Sequence, residues 1–241
     1  MSNISRRERE KEQRRRDIMD SAEKLFFKKG YDEVSMNDIA EDVELSKATL
    51  YLYFDNKVAL FFAVVLRGMG IMSSMIQNEV KKFKTGIEKL HAFMDTYFRF
   101  SQTYPDYLEL YNYFKSGRFH LENIMTDNMM KEMVDDSSLV INFSAGFKPA
   151  DISYASEVLK LQNEIFVTVL ESIKTGLTDG TVNSNVDPTE IAVLLILLTE
   201  DIPNMRPDLK NSLRKTGIHQ DKFLKDTKTL LNQMLGTPKS G

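Results

Sequence analysis

Between residues 45 and 57 the chain reads LSKATLYLYFDNK. Leu50 and Phe54 stand one helical turn apart, and turning both inward leaves Lys47, Thr49, Tyr51 and Tyr53 on other faces. A helix that only packs would ordinarily carry Glu or Gln at such positions. Tyrosine instead has a rigid apolar body and a hydroxyl tip, so it can lie on a sugar or a thymine methyl and hydrogen-bond a phosphate. Lys47 supplies a point charge, and Lys57 does the same beside helix N-terminal amides that already favour an anion. The chemistry open to this set is recognition of phosphates and base edges. The plainer alternative is that Tyr51 or Tyr53 closes a small core.

The elements that must hold these residues are helical. No proline precedes Pro105, and only Gly30, Gly68, Gly70 and Gly86 interrupt the same stretch. Ile18, Ala22, Leu25 and Phe26 recur at helical spacing, and Lys28, Lys29 and Gly30 form a cationic last turn with a glycine stop. Ser35, three residues before Asp38, predicts the N-cap of a short second helix carrying Met36, Ile39, Ala40 and Val43. Ser46 caps a third, and Asp55 or Asn56 a fourth that starts near Lys57 and continues to about Phe83. Two short helices joined by a tight turn, with another before them, are the helix-turn-helix arrangement whose last helix enters a major groove.

Beyond this the pattern predicts helices over 86–103, 105–116, 118–135, 152–177, from Pro188 through Thr199, and over 220–235, with 137–151 read as a loop. There is no internal repeat at a solenoid period. The fold class expected is all-α, with a division at 1–57 and 58–236 and a flexible tail over 237–241.

The chain has 241 residues and no cysteine, which excludes disulfides, thiolate metal sites and cysteine nucleophiles. MSNISRRERE has no apolar stretch behind its charges, and the most apolar run, IAVLLILL at 191–198, is shorter than the roughly 20 residues that span a bilayer. A soluble, cytoplasmic chain without membrane association is expected. The phosphate-binding and nucleophile-elbow motifs of common enzymes are missing, and His91, His120 and His219 fall on separate segments. No enzyme, metal or cofactor is expected.

The net charge is −3, which argues against a broadly basic nucleic-acid binder. Its distribution reverses part of that: residues 6–16 carry seven cations and three acids, and residues 17–60 five cations and ten acids. Contact with DNA then has to come from a few placed cations and the N-terminal arm. A solvated helix end is the bland reading of that arm.

Residues 17–60, DIMDSAEKLFFKKGYDEVSMNDIAEDVELSKATLYLYFDNKVAL, resemble the N-terminal domain of TetR-type transcriptional regulators. The likeness lies in the A…LF…GY of the first helix, the S…DIA of the second, LSKATLYLYF and the following lysine. The resemblance implies a homodimeric repressor, less often an activator, that binds a palindromic double-stranded operator and leaves it when a small molecule enters the C-terminal domain. It assigns DNA contact to Lys47, Thr49, Tyr51, Tyr53 and Lys57, with Ser35, Ser46 and Ala48 close to the backbone. One departure stands in the turn between the second and third helices, where the family often has glycine and this chain has Glu44, a carboxylate at a position of positive φ.

Residues 61–147 are rich in methionine and aromatic residues, which suit a pocket for a lipophilic or aromatic effector as well as an ordinary core. The candidates are Met72, Phe93, Tyr97, Tyr107, Tyr111, Phe114, Met129 and Phe166. Gly68 and Gly70 interrupt the helix from Lys57, either as a hinge or to admit a neighbouring helix. Segments 152–177 and 188–199 are apolar on more than one side, which points to a homodimer interface. The rival reading is a helical protein-interaction module without sequence-specific DNA binding.

Overall fold

A computed structural model describes residues 6–119 and 149–236, and every regular element among them is an α-helix. These are α1 (Arg6–Lys29), α2 (Met36–Asp42), α3 (Lys47–Leu50), α4 (Lys57–Val80), α5 (Gly86–Thr103), α6 (Pro105–Lys115), α7 (Pro149–Asp179), α8 (Pro188–Asp201), α9 (Pro207–Lys215) and α10 (Gln220–Met234). Of the helix expected over 118–135, residues 118 and 119 form a turn, and the remainder, like the tail over 237–241, lies outside the described residues. The chain divides into two compact units, residues 1–70 with 106–161, and 71–105 with 162–241. The division expected at 57/58 falls inside the first.

In the first unit α1 buries Ile18, Ala22, Leu25 and Phe26 and stops at Gly30, whose φ of 77° is the left-handed conformation that glycine adopts without strain. Leu50, Phe54, Phe61, Phe62 and Phe114 are also buried here. An aromatic cluster ties the chain after α1 to α4 and to the residues after α6: Tyr31 lies 4.7 Å from Phe61, and Phe61 stacks on Phe119 at 5.5 Å. Asn56 caps α4 by accepting from the Ala59 amide at 2.8 Å. Helix α4 is long and apolar enough to cross a bilayer by length and composition, which the short run at 191–198 did not foreshadow. Two thirds of its apolar window (67%) is buried in the protein, the pattern of a core helix.

In the second unit α5 and α7 meet backbone to backbone. A Cβ on Gly86 would stand 2.1 Å from the Gly176 amide nitrogen, so only glycine fits. Asp179 accepts from the Gly86 amide at 2.8 Å, Thr181 from that of Ile87 at 3.2 Å, and Thr85 with Glu88 completes a capping box on the same end of α5. On its other flank α5 receives α10 through His91 with Asn232 at 2.9 Å and Asp95 with Lys228 at 2.6 Å. Helix α10 runs antiparallel to α8. Gln220 at its start donates to the Ile202 carbonyl just past α8, and the Leu235 carbonyl at its end accepts from Asn183, just before α8.

Three boundaries differ from the sequence reading. Helix α7 begins at Pro149, inside the stretch read as a loop, because proline at a first helical position needs no hydrogen-bond partner for its nitrogen. Helix α3 makes a single turn. Helix α9 was not expected at all: it is nine residues long, its helical spacing is carried by Leu209 and Leu213 alone, and neither is buried.

Candidate nucleic-acid interface

Helix α2 is fastened at its start by a reciprocal cap. The Ser35 amide donates to Asp38 at 2.7 Å, the Ser35 hydroxyl donates to the same carboxylate, and Ser35 Oγ accepts from the Asp38 amide at 3.2 Å. The Ser35 hydroxyl, followed by the Ser35 N–H, holds Asp38 below the usual carboxylate range. The far end of α2 closes by a Schellman motif, in which the Glu44 amide donates to Glu41 O at 3.2 Å and the Leu45 amide to Ala40 O at 2.8 Å. That motif needs a left-handed residue at its pivot, and Glu44 supplies it with φ 54°, alone among the described non-glycine residues. The turn keeps its glycine-type geometry without the glycine.

Helix α3 follows at once, capped by Ser46, whose Oγ accepts from the Thr49 amide at 3.1 Å and lies 2.8 Å from the Thr49 hydroxyl. The backbone then tightens: Leu52 N–H donates to Thr49 O at 3.1 Å and Tyr53 N–H to Leu50 O at 3.0 Å, the i to i−3 pattern of a 3₁₀ turn. Leu50 and Phe54 point inward as expected, 0% and 2% exposed. Lys47, Ala48 and Tyr51 are exposed, and Thr49 and Tyr53 half-buried. Arg15 secures the end of the segment, donating to the Tyr53 carbonyl at 3.1 Å with its guanidinium 4.5 Å over the Phe54 ring.

An open groove is lined by Asp32, Glu33, Val34, Ser35, Met36, Asn37, Lys47, Tyr51 and Lys57. It therefore gathers four of the eight expected contacts, Ser35, Lys47, Tyr51 and Lys57. Ser46, Ala48, Thr49 and Tyr53 lie along the adjoining α3 segment. Two of the hydroxyls, on Ser35 and Ser46, are engaged as helix caps. Lys57 is also engaged: its ammonium donates to the Tyr31 carbonyl at 3.0 Å and to Asp32 O at 3.5 Å, and sits 4.1 Å from the Tyr31 ring centroid. Burial lowers its pKa, against the pull of Asp32 and Glu33. Lys57 thus ties α4 to the chain between α1 and α2 in addition to bordering the groove.

Sequence reasoning passed over Leu52. It is 77% exposed between Tyr51 and Tyr53. Being apolar, it was not read as a surface residue, although with Leu50 and Phe54 inward the position midway between them has to point out.

The expected effector residues fall in both units. Tyr107, Tyr111 and Phe114 are buried in the first, Met72, Phe93 and Tyr97 in the second, where Phe166 is half-buried. Met129 lies outside the described residues. Among those described, no three His, Asp or Glu side chains cluster as a metal site would require.

Residues 18–64 match the family described as bacterial regulatory proteins of the tetR family. The biofilm operon icaADBC HTH-type negative transcriptional regulator IcaR of Staphylococcus aureus (strain Newman) is 34% identical over 77 residues, 32% of this chain and 41% of IcaR. The chain thus spans about two fifths of the curated relatives it matches. Solved structures extend the likeness in fold to nearly the whole chain. A TetR/AcrR-family transcriptional regulator from Thermobifida fusca superposes with a TM-score of 0.63 at 19% identity, covering 91% of this chain and 97% of that one. AibR, in complex with isovaleryl coenzyme A and operator DNA, gives 0.54 at 19%, covering 90% and 97%.

Proposed function

We propose, for a chain whose residues 18–64 match the TetR family of bacterial regulatory proteins, that it is a cytoplasmic homodimeric transcriptional repressor without enzymatic activity. Residues 1–57 would bind a palindromic operator, and residues 58–236 would dimerise and take a small lipophilic or aromatic effector that ends binding. The observation that carries this reading is the groove in which Lys47 and Tyr51 of the recognition segment stand beside Ser35 and Asn37 at the start of α2. An exposed lysine, a tyrosine 39% exposed and a helix N-terminus on one concave surface are the parts that phosphate and base-edge contact requires. Leu52 adds methyl groups that match a thymine methyl in the major groove.

The dimer reading is supported by α8. Ile191, Ala192, Leu195 and Thr199 are buried on one side, and Val193, Leu194, Leu197 and Leu198 are 37–55% exposed on the other, with Val167 of α7 also exposed. Two copies packed through α7 and α8 would cover this surface and place two recognition segments on one face of a duplex. The effector reading rests on composition. AibR is described with isovaleryl coenzyme A, an apolar acyl group on a polar carrier, and the methionine- and aromatic-rich composition of residues 61–147 suits such a group.

The test is selection of bound duplexes from a random pool by the wild type and by Lys47→Ala with Tyr51→Ala. Both side chains are exposed, so the variant keeps its fold. One inverted repeat recovered by the wild type alone is the expected result. If neither protein enriches any sequence at moderate salt, the recognition reading fails and a helical protein-interaction module takes its place.

A further inference from the structure

The first eleven residues of α1, RREREKEQRRR, continue the helix beyond the part that packs. The packed part ends at a defined level. Arg15 reaches the Tyr53 carbonyl, and Arg14 lines an open groove with Asp17 and Asp20 of its own helix and with Asp42, Val43 and Glu44 at the end of α2 and in the α2–α3 turn. At this level α1 passes beside both ends of the recognition segment. Residues 6–13 then project about 12 Å further as exposed helix.

The cations on this projection are sorted by face. Arg7, Lys11 and Arg14 recur at i, i+4 and i+7, in line with Ile18, Ala22 and Leu25, the buried stripe by which α1 meets the rest of its unit. The charged stripe continues the packing stripe onto a part of the helix that is exposed among the described residues. Among the described residues these three side chains make no ion pair or hydrogen bond. Arg6 is paired with Glu10 at 2.7 Å, Arg16 donates to Gln13 at 2.9 Å, and Arg15 is taken by Tyr53. Glu8 and Glu12 lie about 100° or more round the helix from Arg7.

We propose that Arg7, Lys11 and Arg14 form a phosphate-binding stripe that follows the duplex flanking the bases read by residues 47–52. The inference rests on the DNA-binding reading and adds a separate site to it. From Arg7 to Arg14 the helix rises about 10 Å, the axial length over which one DNA strand presents about three phosphates. The three cations, none of them paired among the described residues, thus cover a length comparable to that of about three phosphates. Such contacts carry no base preference, so the stripe sets affinity and salt dependence and leaves sequence choice to the recognition segment.

The experiment measures affinity for the selected operator as a function of salt for three proteins: wild type, Arg7→Gln/Lys11→Gln/Arg14→Gln, and a control that removes the same charge from other faces, Arg6→Gln/Arg9→Gln/Arg16→Gln. Circular dichroism checks that all three keep their helix content. The stripe variant is expected to flatten the slope of log K against log salt by about 2 to 3 per bound protomer, to bind more than tenfold more weakly, and to select the same sequence. The control is expected to change the slope by less than half as much. If the stripe variant matches the wild type or the control while Lys47→Ala/Tyr51→Ala abolishes binding, the stripe is refuted and the recognition reading stands. A wild type that enriches no sequence overturns both.

Discussion

Tyr107 of α6 donates its hydroxyl to Glu23 of α1, 84 residues away, at 2.5 Å. Glu23 also accepts from Arg67 of α4 at 2.9 Å, and Arg67 reaches Asp20 at 2.7 Å, so one carboxylate joins three helices of the first unit. The tyrosine ring lies over Gly68, the next residue after Arg67, and meets Phe27 edge-on at 5.0 Å. A Cβ on Gly68 would stand 2.5 Å from Tyr107 Cδ1, whereas one on Gly70 would meet nothing within 4 Å.

The two glycines of α4 therefore respond with opposite sign to the same change. Gly68→Ala drives a methyl into a ring held from its far end, and is expected to cost about 1 to 3 kcal/mol. Gly70→Ala fills open space in an unbroken helix and is expected to gain up to about 1 kcal/mol. Chemical denaturation of the two variants decides it. Shifts of the same sign would mean that glycine flexibility, and not the approach of α6, is what position 68 requires.

Tyr107 also has an alkaline signature. Burial first, and then the Glu23 carboxylate, push its hydroxyl well above the ordinary value of 10.0. A folded-state pKa raised above the unfolded one contributes stability that is complete below about pH 10 and is lost as pH rises through the folded value. The stability difference between wild type and Tyr107→Phe should thus be constant from pH 7 to 9 and narrow above pH 10. A difference independent of pH up to 11 would show that the hydroxyl is not held in its neutral form.

Much of the chain from α1 to α3 was legible because its signals are local. Gly30 after a cationic turn, Ser35 three residues before Asp38, and Ser46 ahead of Thr49 each act within a few residues, and α1, α2 and the start of α3 follow from them. The positive φ at Glu44 was expected only from the resemblance, whose family often has glycine there, and it holds because the turn dictates the conformation whatever residue occupies it. The early tightening after Leu50 was not, because it coincides with a contact from Arg15, 38 residues earlier in the chain. Leu52 was hidden by its type, α9 by its lack of a buried face, and the tie between Tyr107 and Glu23 by distance in sequence. The second task of Lys57 was hidden too, since its acceptors are main-chain carbonyls, which every residue has.

Glu44 pivots the turn between α2 and α3 at φ 54° and is exposed. Glycine adopts that conformation without the Cβ clash, which costs other residues about 1 kcal/mol or more. Glu44→Gly is expected to raise stability by about 0.5 to 1 kcal/mol, which in a chain of this size is a rise in Tm of a few degrees. It also removes a carboxylate next to the recognition segment, so operator affinity should rise with it, more at low salt than at high. A variant that is less stable would mean that the Glu44 side chain holds the turn, which its exposure does not suggest.

The exposed side of α8 bears on assembly. Leu194 and Leu197 are 44% and 55% exposed in the protomer, so replacing both with glutamate removes little from the fold of one copy. In a dimer packed through α7 and α8 the same change buries carboxylates without partners, at a cost of about 3 to 5 kcal/mol for each charge so placed. Leu194→Glu/Leu197→Glu is therefore expected to sediment as a monomer at micromolar concentration where the wild type is a dimer, with unchanged helix content. Its affinity for a full inverted repeat should fall to that for a single half-site, because the second recognition segment is no longer delivered by the first. A variant that remains a dimer of wild-type stability would move the interface off α8, and with it the geometry by which two recognition segments reach one operator.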